Sequence, residues 1–247
     1  MSLARALGLV RSLAMYHGMP WRRGRLARLY APFVPRGSLC FDIGAHAGNR
    51  VACWRRLGAR VVAVEPQRDF ACVLDRLFGR DPGVRIVRVA LGARRGVGTL
   101  LVSERHPTVS TLSRAWSEEV SRGEGFRTVR WSREEPVRVT TLDALIRRYG
   151  VPAFVKIDVE GLEAEVLAGL SRPVPALSFE YLPAAPASAL ACIDRLRELG
   201  DYRYRWSPGE SHILHPDDWL DTDAMAATLR AMPPSAPSGD VYGVGPT

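Results

Sequence analysis

The chain has 247 residues, 47% of them apolar and 24% charged, a balance that excludes collagen-like, coiled-coil and wholly disordered chains. At that length one large domain buries roughly 70–75% of its unfolded surface, so the core needs no staple. The net charge of +8 rests on arginine: Lys156 is the one lysine among 34 basic residues, and Asn49 and Gln67 are the sole asparagine and glutamine. That skew reads as the codon usage of a GC-rich genome, which weakens the charge as a sign of nucleic-acid binding. Its field still favours anionic partners modestly.

Residues 3–14 place Leu3, Leu7, Val10 and Leu13 at helical spacing, and a second short amphipathic stretch runs over 25–33. Residues 1–36 are read as an N-terminal helical lid, with peripheral membrane or RNA contact by residues 1–33 as the sharper alternative. After Pro35-Arg36-Gly37, strands and helices alternate. LCFDI (39–43) is a first strand, followed by the Gly-rich AHAGN and a helix through about Leu57. RVVAVE (60–65) is a second strand, followed by a helix. VRIVRVAL (84–91) is a third strand. Such spacing predicts βαβ units and a parallel sheet.

GVGTLLVS (96–103) reads as an extra strand and HPTVSTLSRAW (106–116) as a Ser/Thr-rich loop, within an insertion at 92–138 that covers the site. VRVTTLDALIRRYG (137–150) resumes as a strand and a helix capped by Thr141 or Asp143. FVKIDVE (154–160) and ALSFEYL (176–182) are the fourth and fifth core strands, followed by a helix at 187–200. YRYRWS (202–207) and SHILHP (211–216) form a closing hairpin. The tail from 232, PPSAPSGDVYGVGPT, is read as loosely held. The predicted fold is α/β: a mostly parallel, doubly wound sheet over 37–231 with an antiparallel C-terminal strand.

Four cysteines without a CxxC pair read as free thiols in a reducing compartment. No apolar run approaches the ~18 residues of a membrane span, and Arg5 and Arg11 break the N-terminal stretch, so a cytoplasmic location is expected. HxxH at 212–215 has poor metal geometry on a strand, and no metal site is expected.

The chemistry concentrates in two motifs. FDIGAHAGN (41–49) supplies a tight glycine turn at a helix N-terminus, with Asp42 at the strand end. A carboxylate there repels a pyrophosphate and suits a cation. Glu65 follows 23 residues later, near the ~20-residue offset of ribose-binding acids, and Val89-Ala90 ends the third strand where an adenine fits. Together they favour S-adenosylmethionine (SAM) over a dinucleotide. The second motif, KIDVEG (156–161), places Lys156, Asp158 and Glu160 on one face near a strand end, by alternation. Three charges on a buried strand are costly unless paired or functional.

FDIGAHAG, VAVEP, VTTLDAL and FVKIDVEGLEAEVLAGL, in that order over roughly 38–182, resemble the FkbM family of SAM-dependent methyltransferases. The resemblance implies a Rossmann-like class I methyltransferase acting on hydroxyl oxygens of natural products, sugars or glycans. It implies SAM contacts from Asp42, Gly44, Ala45, Gly48, Glu65 and Pro66, with Lys156, Asp158 and Glu160 near the transferred methyl. His46 stands where the family often has Asn, and with Asn49, Val89 and Ala90 it completes the expected cofactor set. Asp158 or Glu160 is the expected base, with Lys156 orienting it or binding the acceptor oxygen. His106, His212 and His215 are rival bases. Glu180 faces the same edge, and Trp116 and Trp131 form either a substrate platform or the insertion's own core. The expected acceptor is a small-molecule or glycan hydroxyl. An RNA methyltransferase, a SAM-binding protein without catalysis and an NAD-dependent oxidoreductase are the alternatives. No RRM or KH signature is present.

Overall fold

The computed structural model describes residues 20–103, 110–121 and 129–246. The amphipathic stretch at 3–14 and His106 lie outside the described residues. In chain order the elements are α1 (Pro20–Tyr30), β1 (Leu39–Ile43), α2 (Asn49–Arg56), β2 (Arg60–Val64), α3 (Arg68–Phe78), β3 (Val84–Val87), β4 (Ala90–Leu91) and β5 (Gly96–Val102). Then come α4 (Arg114–Val120), β6 (Arg133–Thr140), α5 (Leu142–Tyr149), β7 (Phe154–Ile157), α6 (Glu163–Ala168) and β8 (Ala176–Tyr181). The last are α7 (Ala187–Leu199), β9 (Arg203–Pro208), β10 (His215–Leu220), α8 (Thr222–Ala231) and β11 (Gly239–Val244).

Eight strands form one sheet in the order β10-β9-β11-β8-β7-β1-β2-β3. The run from β3 to β8 is parallel, and β11, β9 and β10 join antiparallel. The chain winds outward from β1 through β3 and then returns to the other side of β1 with β7. That reversal leaves a crevice beyond the carboxyl ends of β1 and β7, where open α/β sheets bind ligands.

Every residue of β1 and β7 is buried, as strands covered on both faces must be. Alternation sorts them onto two cores. Phe41, Ile43, Val62, Val155 and Ile157 share one, while Cys40, Val61, Ala63 and Phe154 share the other with Tyr30, Phe33 and Trp54. Asp42 and Lys156 are register partners and fall on that second face. The second amphipathic stretch lies largely within α1, whose Leu26, Leu29 and Tyr30 pack into the second core. No helix among the described residues is long and apolar enough to cross a membrane.

Four sequence expectations are corrected. The strand at 84–91 divides at Arg88-Val89, because β4 leaves the main sheet and pairs with β6 in a second sheet ordered β4-β6-β5. β6 begins at Arg133, ahead of the expected 137. Pro136 is tolerated because β4 reaches only Val139 and Thr140, so no ladder bond is lost on that side. The closing hairpin pairs β9 with residues 215–220 instead of 211–216. Finally, the tail is not loose: β11 lies between β8 and β9 with six register partners on each. Thr141, not Asp143, caps α5, its hydroxyl accepting from Ala144 N at 3.2 Å.

Candidate active site

The crevice is built first by glycines. Gly44 leaves β1 at φ 83°, and a Cβ there would lie 1.9 Å from the Asp158 carbonyl oxygen. Only a residue without a side chain lets the loops after β1 and β7 meet. The loop is pinned by two N–H groups, of Gly44 and Ala45, donating to Val64 O at 2.9 and 3.1 Å. Gly48 takes φ 77° at the start of α2, and its Cβ would press on the Phe78 ring at 2.5 Å.

A first cavity opens beyond these ends. Gly44, His46, Glu65, Pro66, Val89 and Ala90, all expected on cofactor, line it. Asp42, Ala45, Gly48 and Asn49 do not. Asn49 turns its Oδ1 onto Arg50 N at 2.9 Å, so it serves the first turn of α2. Gln67, Leu91, Leu112 and Leu162 line the cavity without having been expected there, and Asp158, expected near the transferred methyl, lines it too. Glu65 accepts from Gln67 N at 2.8 Å and His46 N at 2.9 Å, and burial pushes its carboxyl up to about 7 against those two bonds. Burial pushes the His46 imidazole below its ordinary value, opposed by Asp158 and helped by Arg50 and Lys156.

Among the described residues nine buried side-chain atoms lack a hydrogen-bond partner, and three of them stand at this crevice. Both carboxylate oxygens of Asp42, a residue 1% exposed, have no hydrogen bond, and neither does the Gln67 amide nitrogen. Burial is the main reason Asp42 sits at about 7, against the lowering charges of Arg50 and Lys156. Buried polar groups are normally paired, so an orphaned acid and amide mark a place for a ligand with a positive charge and hydrogen-bonding atoms.

A second cavity, of about 170 Å³, shares His46 and Asp158 with the first. Its other walls are Arg50, Glu160, Glu180, Glu210 and the backbone turn into Asp240. Glu160 stands at φ 57°, a strained left-handed position, with its carbonyl accepting from Thr111 Oγ1 at 2.7 Å. Glu163 clamps the same loop, accepting from Val159 N at 3.1 Å and Gly161 N at 3.2 Å. One carboxylate oxygen each from Asp158, Glu160 and Glu180 lies within 4.8 Å of the others. Burial, then the neighbouring carboxylates, hold Glu160 and Glu180 well above the usual carboxylate range.

Asp158 behaves oppositely. Burial is outweighed by the cations Lys156 and Arg50, which hold its carboxyl well below that range. Lys156 Nζ, fully buried, is 3.3 Å from Asp158 Oδ2 and donates to Asp240 Oδ1 at 2.9 Å. The strand ends at Ile157, so Asp158 and Glu160 reach the cavity from the loop and not from strand alternation. Of the rival bases, His212 pairs with Glu210 at 3.3 Å and His215 packs on Trp206; neither is among the residues lining these cavities. Trp116 packs edge-on to Trp131 and walls a third cavity beside Glu160 and Glu180. Arg50, Glu210 and Asp240 carried no motif that marked them in the sequence.

With this geometry in place, the family model of the methyltransferase FkbM domain matches residues 42–203. The chain belongs to the FkbM methyltransferase family. It is a SAM-dependent methyltransferase on the Rossmann-like class I fold. Solved structures similar to it include precorrin-6Y C5,15-methyltransferase from Geobacter metallireducens (11% identity, 91% of this chain and 87% of that one, TM-score 0.44). An rRNA methylase from Streptococcus thermophilus is 10% identical over 90% of this chain and 94% of its own, with TM-score 0.45. A SAM-dependent O-methyltransferase from Thermotoga maritima is 13% identical over 92% and 66%, with TM-score 0.40. No curated protein matches the sequence.

The FkbM-family site fits SAM by its donor set. Asp42 offers an unpaired anion near the crevice and Gln67 an unpaired N–H in it. SAM supplies a methyl group on a cationic sulfur. Its demethylated form, S-adenosylhomocysteine (SAH), lacks that charge. Affinity for SAM relative to SAH is therefore expected to rise about tenfold as pH climbs through 7 and Asp42 ionises. Asp42→Asn is expected to reduce that rise in calorimetric titrations, the remainder belonging to Glu65, whose carboxyl ionises in the same range. It also stabilises the unliganded protein at pH 8: a carboxyl raised on folding loses stability as pH increases from its unfolded value towards 7. A pH-independent SAM:SAH ratio in the wild type would sink this assignment.

Proposed function

We propose that the enzyme methylates a hydroxyl of a neutral or cationic small acceptor, such as a polyol or glycan, and that Glu160 takes the proton. The supporting observation is the second cavity. It adjoins the SAM cavity through His46 and Asp158, and the carboxylates of Asp158, Glu160, Glu180, Glu210 and Asp240 belong to residues lining it, against one arginine. Arg50 and Lys156 are already engaged by Asp158 and Asp240, so although the chain carries +8 the cavity offers no spare cation to hold a phosphate. RNA is therefore the weaker reading.

Gly44, His46, Glu65, Pro66, Gln67, Val89 and Ala90 are assigned to hold the cofactor, with Asp42 acting on it by charge. Ala45, Gly48 and Asn49 shape the loop. Methyl transfer is an in-line displacement, and holding the two reactants aligned carries much of the rate. The hydroxyl must also lose its proton, and a base works best with a pKa near the working pH. Glu160, raised by burial and by Glu180 and Asp158, is the more basic of the two, since the cations beside Asp158 keep it ionised and weakly basic. Lys156 is assigned to orient Asp158.

The test is incubation of the protein with methyl-labelled SAM and separate pools of neutral glycans, amino sugars, phosphorylated metabolites and RNA, followed by mass spectrometry. Label is expected in the first two pools. Label in RNA, lost steeply with salt, would establish the alternative. Glu160→Gln is expected to cut turnover by about 10²–10⁴ while SAM affinity stays within a factor of three. Unchanged turnover, or activity that disappears on chelation and returns with Mg²⁺, would remove Glu160 from the role.

A further inference from the structure

We propose that Asp240, carried in by β11, is a positioning residue: it holds the Lys156 ammonium against Asp158 and so fixes a charged carboxylate where the two cavities meet. The topology brings it there. Antiparallel partners share a face of the sheet, and Asp240 is paired with Glu180 of β8. That register delivers its carboxylate to a lysine 84 residues away in sequence.

The ammonium sees three oxygens: Asp240 Oδ1 at 2.9 Å, Asp158 Oδ2 at 3.3 Å and the Ile157 carbonyl at 3.3 Å. A Lys head has three N–H bonds, so each has a partner and its direction is set. Asp240 is itself held at its other oxygen, which accepts from Tyr242 OH at 3.4 Å and faces the Arg50 guanidinium at 3.8 Å. Arg50 stands 3.9 Å from Asp158 and donates to Tyr30 OH at 3.3 Å. Two cations and two carboxylates thus alternate and cancel. Both Asp240 and Tyr30 lie outside the residues matched by the family model.

Removing the Asp240 charge leaves the cluster at about +1 beside the SAM cavity, since Asp158 lines both cavities. A positive excess there opposes a sulfonium and is indifferent to a thioether. The inference rests on the SAM assignment but not on the acceptor. Failure of the wild type to bind SAM would defeat the proposed function, whereas the comparison below addresses Asp240 alone.

The experiment uses the full chain labelled with ¹³Cε,¹⁵Nζ-lysine, in which Lys156 gives the single lysine signal. Asp240→Asn is expected to move that signal and to speed exchange of its Nζ protons at least tenfold. Calorimetry is expected to find SAM weakened about tenfold relative to SAH. A purely structural role would weaken both ligands alike. An unmoved lysine signal, or equal loss of SAM and SAH, overturns the proposal. If Asp240→Asn does not fold, Lys156→Met combined with it removes both charges and leaves neither buried ion unpaired. That double variant should regain the wild-type SAM:SAH ratio, and a ratio still shifted against SAM overturns the proposal equally.

Discussion

Gly44→Ala is expected to weaken SAM binding at least a hundredfold and to cost about 3 kcal/mol of stability. The added Cβ falls 1.9 Å from the Asp158 carbonyl oxygen and 3.0 Å from its carbon, both backbone atoms. Neither side can yield easily. Gly44 N and Ala45 N are bonded to Val64 O, and Asp158 N is bonded to Ile43 O at 2.9 Å. The φ of 83° adds strain of its own for an L-residue. Relief requires parting the loops after β1 and β7, and those loops wall the cofactor cavity. Calorimetric titration with SAM and denaturant unfolding measure the two effects separately. An alanine variant that binds within threefold of wild type would mean that the loops separate without cost.

Lys156→Met is expected to destabilise the protein by about 3–5 kcal/mol, because it strands two inward-facing carboxylates on one guanidinium. For a chain of this size that is a fall in Tm of roughly 10 °C. Asp158 loses the strongest of the charges keeping it ionised, so its carboxyl rises towards the ordinary range. The methionine is close in volume, which removes a cavity as the explanation. A Tm within 3 °C of wild type would show that the cluster is not under electrostatic load. The same packing accounts for the single lysine among 33 arginines. The head is fully buried among three oxygens, where a compact ammonium fits and a planar fork with five donors would leave N–H groups unpaired.

The half of the molecule from β1 to β8 was legible because its signals are local. Short apolar stretches marked the strands, and Asp42, Glu65 and the KIDVEG run declared themselves by standing at strand ends. The misreadings share a cause. VRIVRVAL is apolar apart from Arg85 and Arg88, and nothing within it says that Ala90 and Leu91 pair with β6 in another sheet. β11 was read as tail because Pro, Ser and Gly surround it. Yet Gly239 is there because a Cβ would lie 2.1 Å from Ser207 O, so the residue that reads as loop is a close-packing site inside the sheet.

The strand-helix alternation, the glycine turn, the acids at the strand ends and the family are all legible along the linear chain. Each of these depends on neighbours a few residues apart. The tertiary structure decided how the site is charged. Arg50, Glu210 and Asp240 are unremarkable in sequence and meet only because β11 enters between β8 and β9 and the chain returns to β1 through β7. Protonation followed from that meeting. Asp158 and Glu160 are two residues apart and alike in chemistry, but cations from α2 and β7 face one while carboxylates from β8 and α6 crowd the other. Proximity along the chain does not set a pKa; burial and the charges brought through space do.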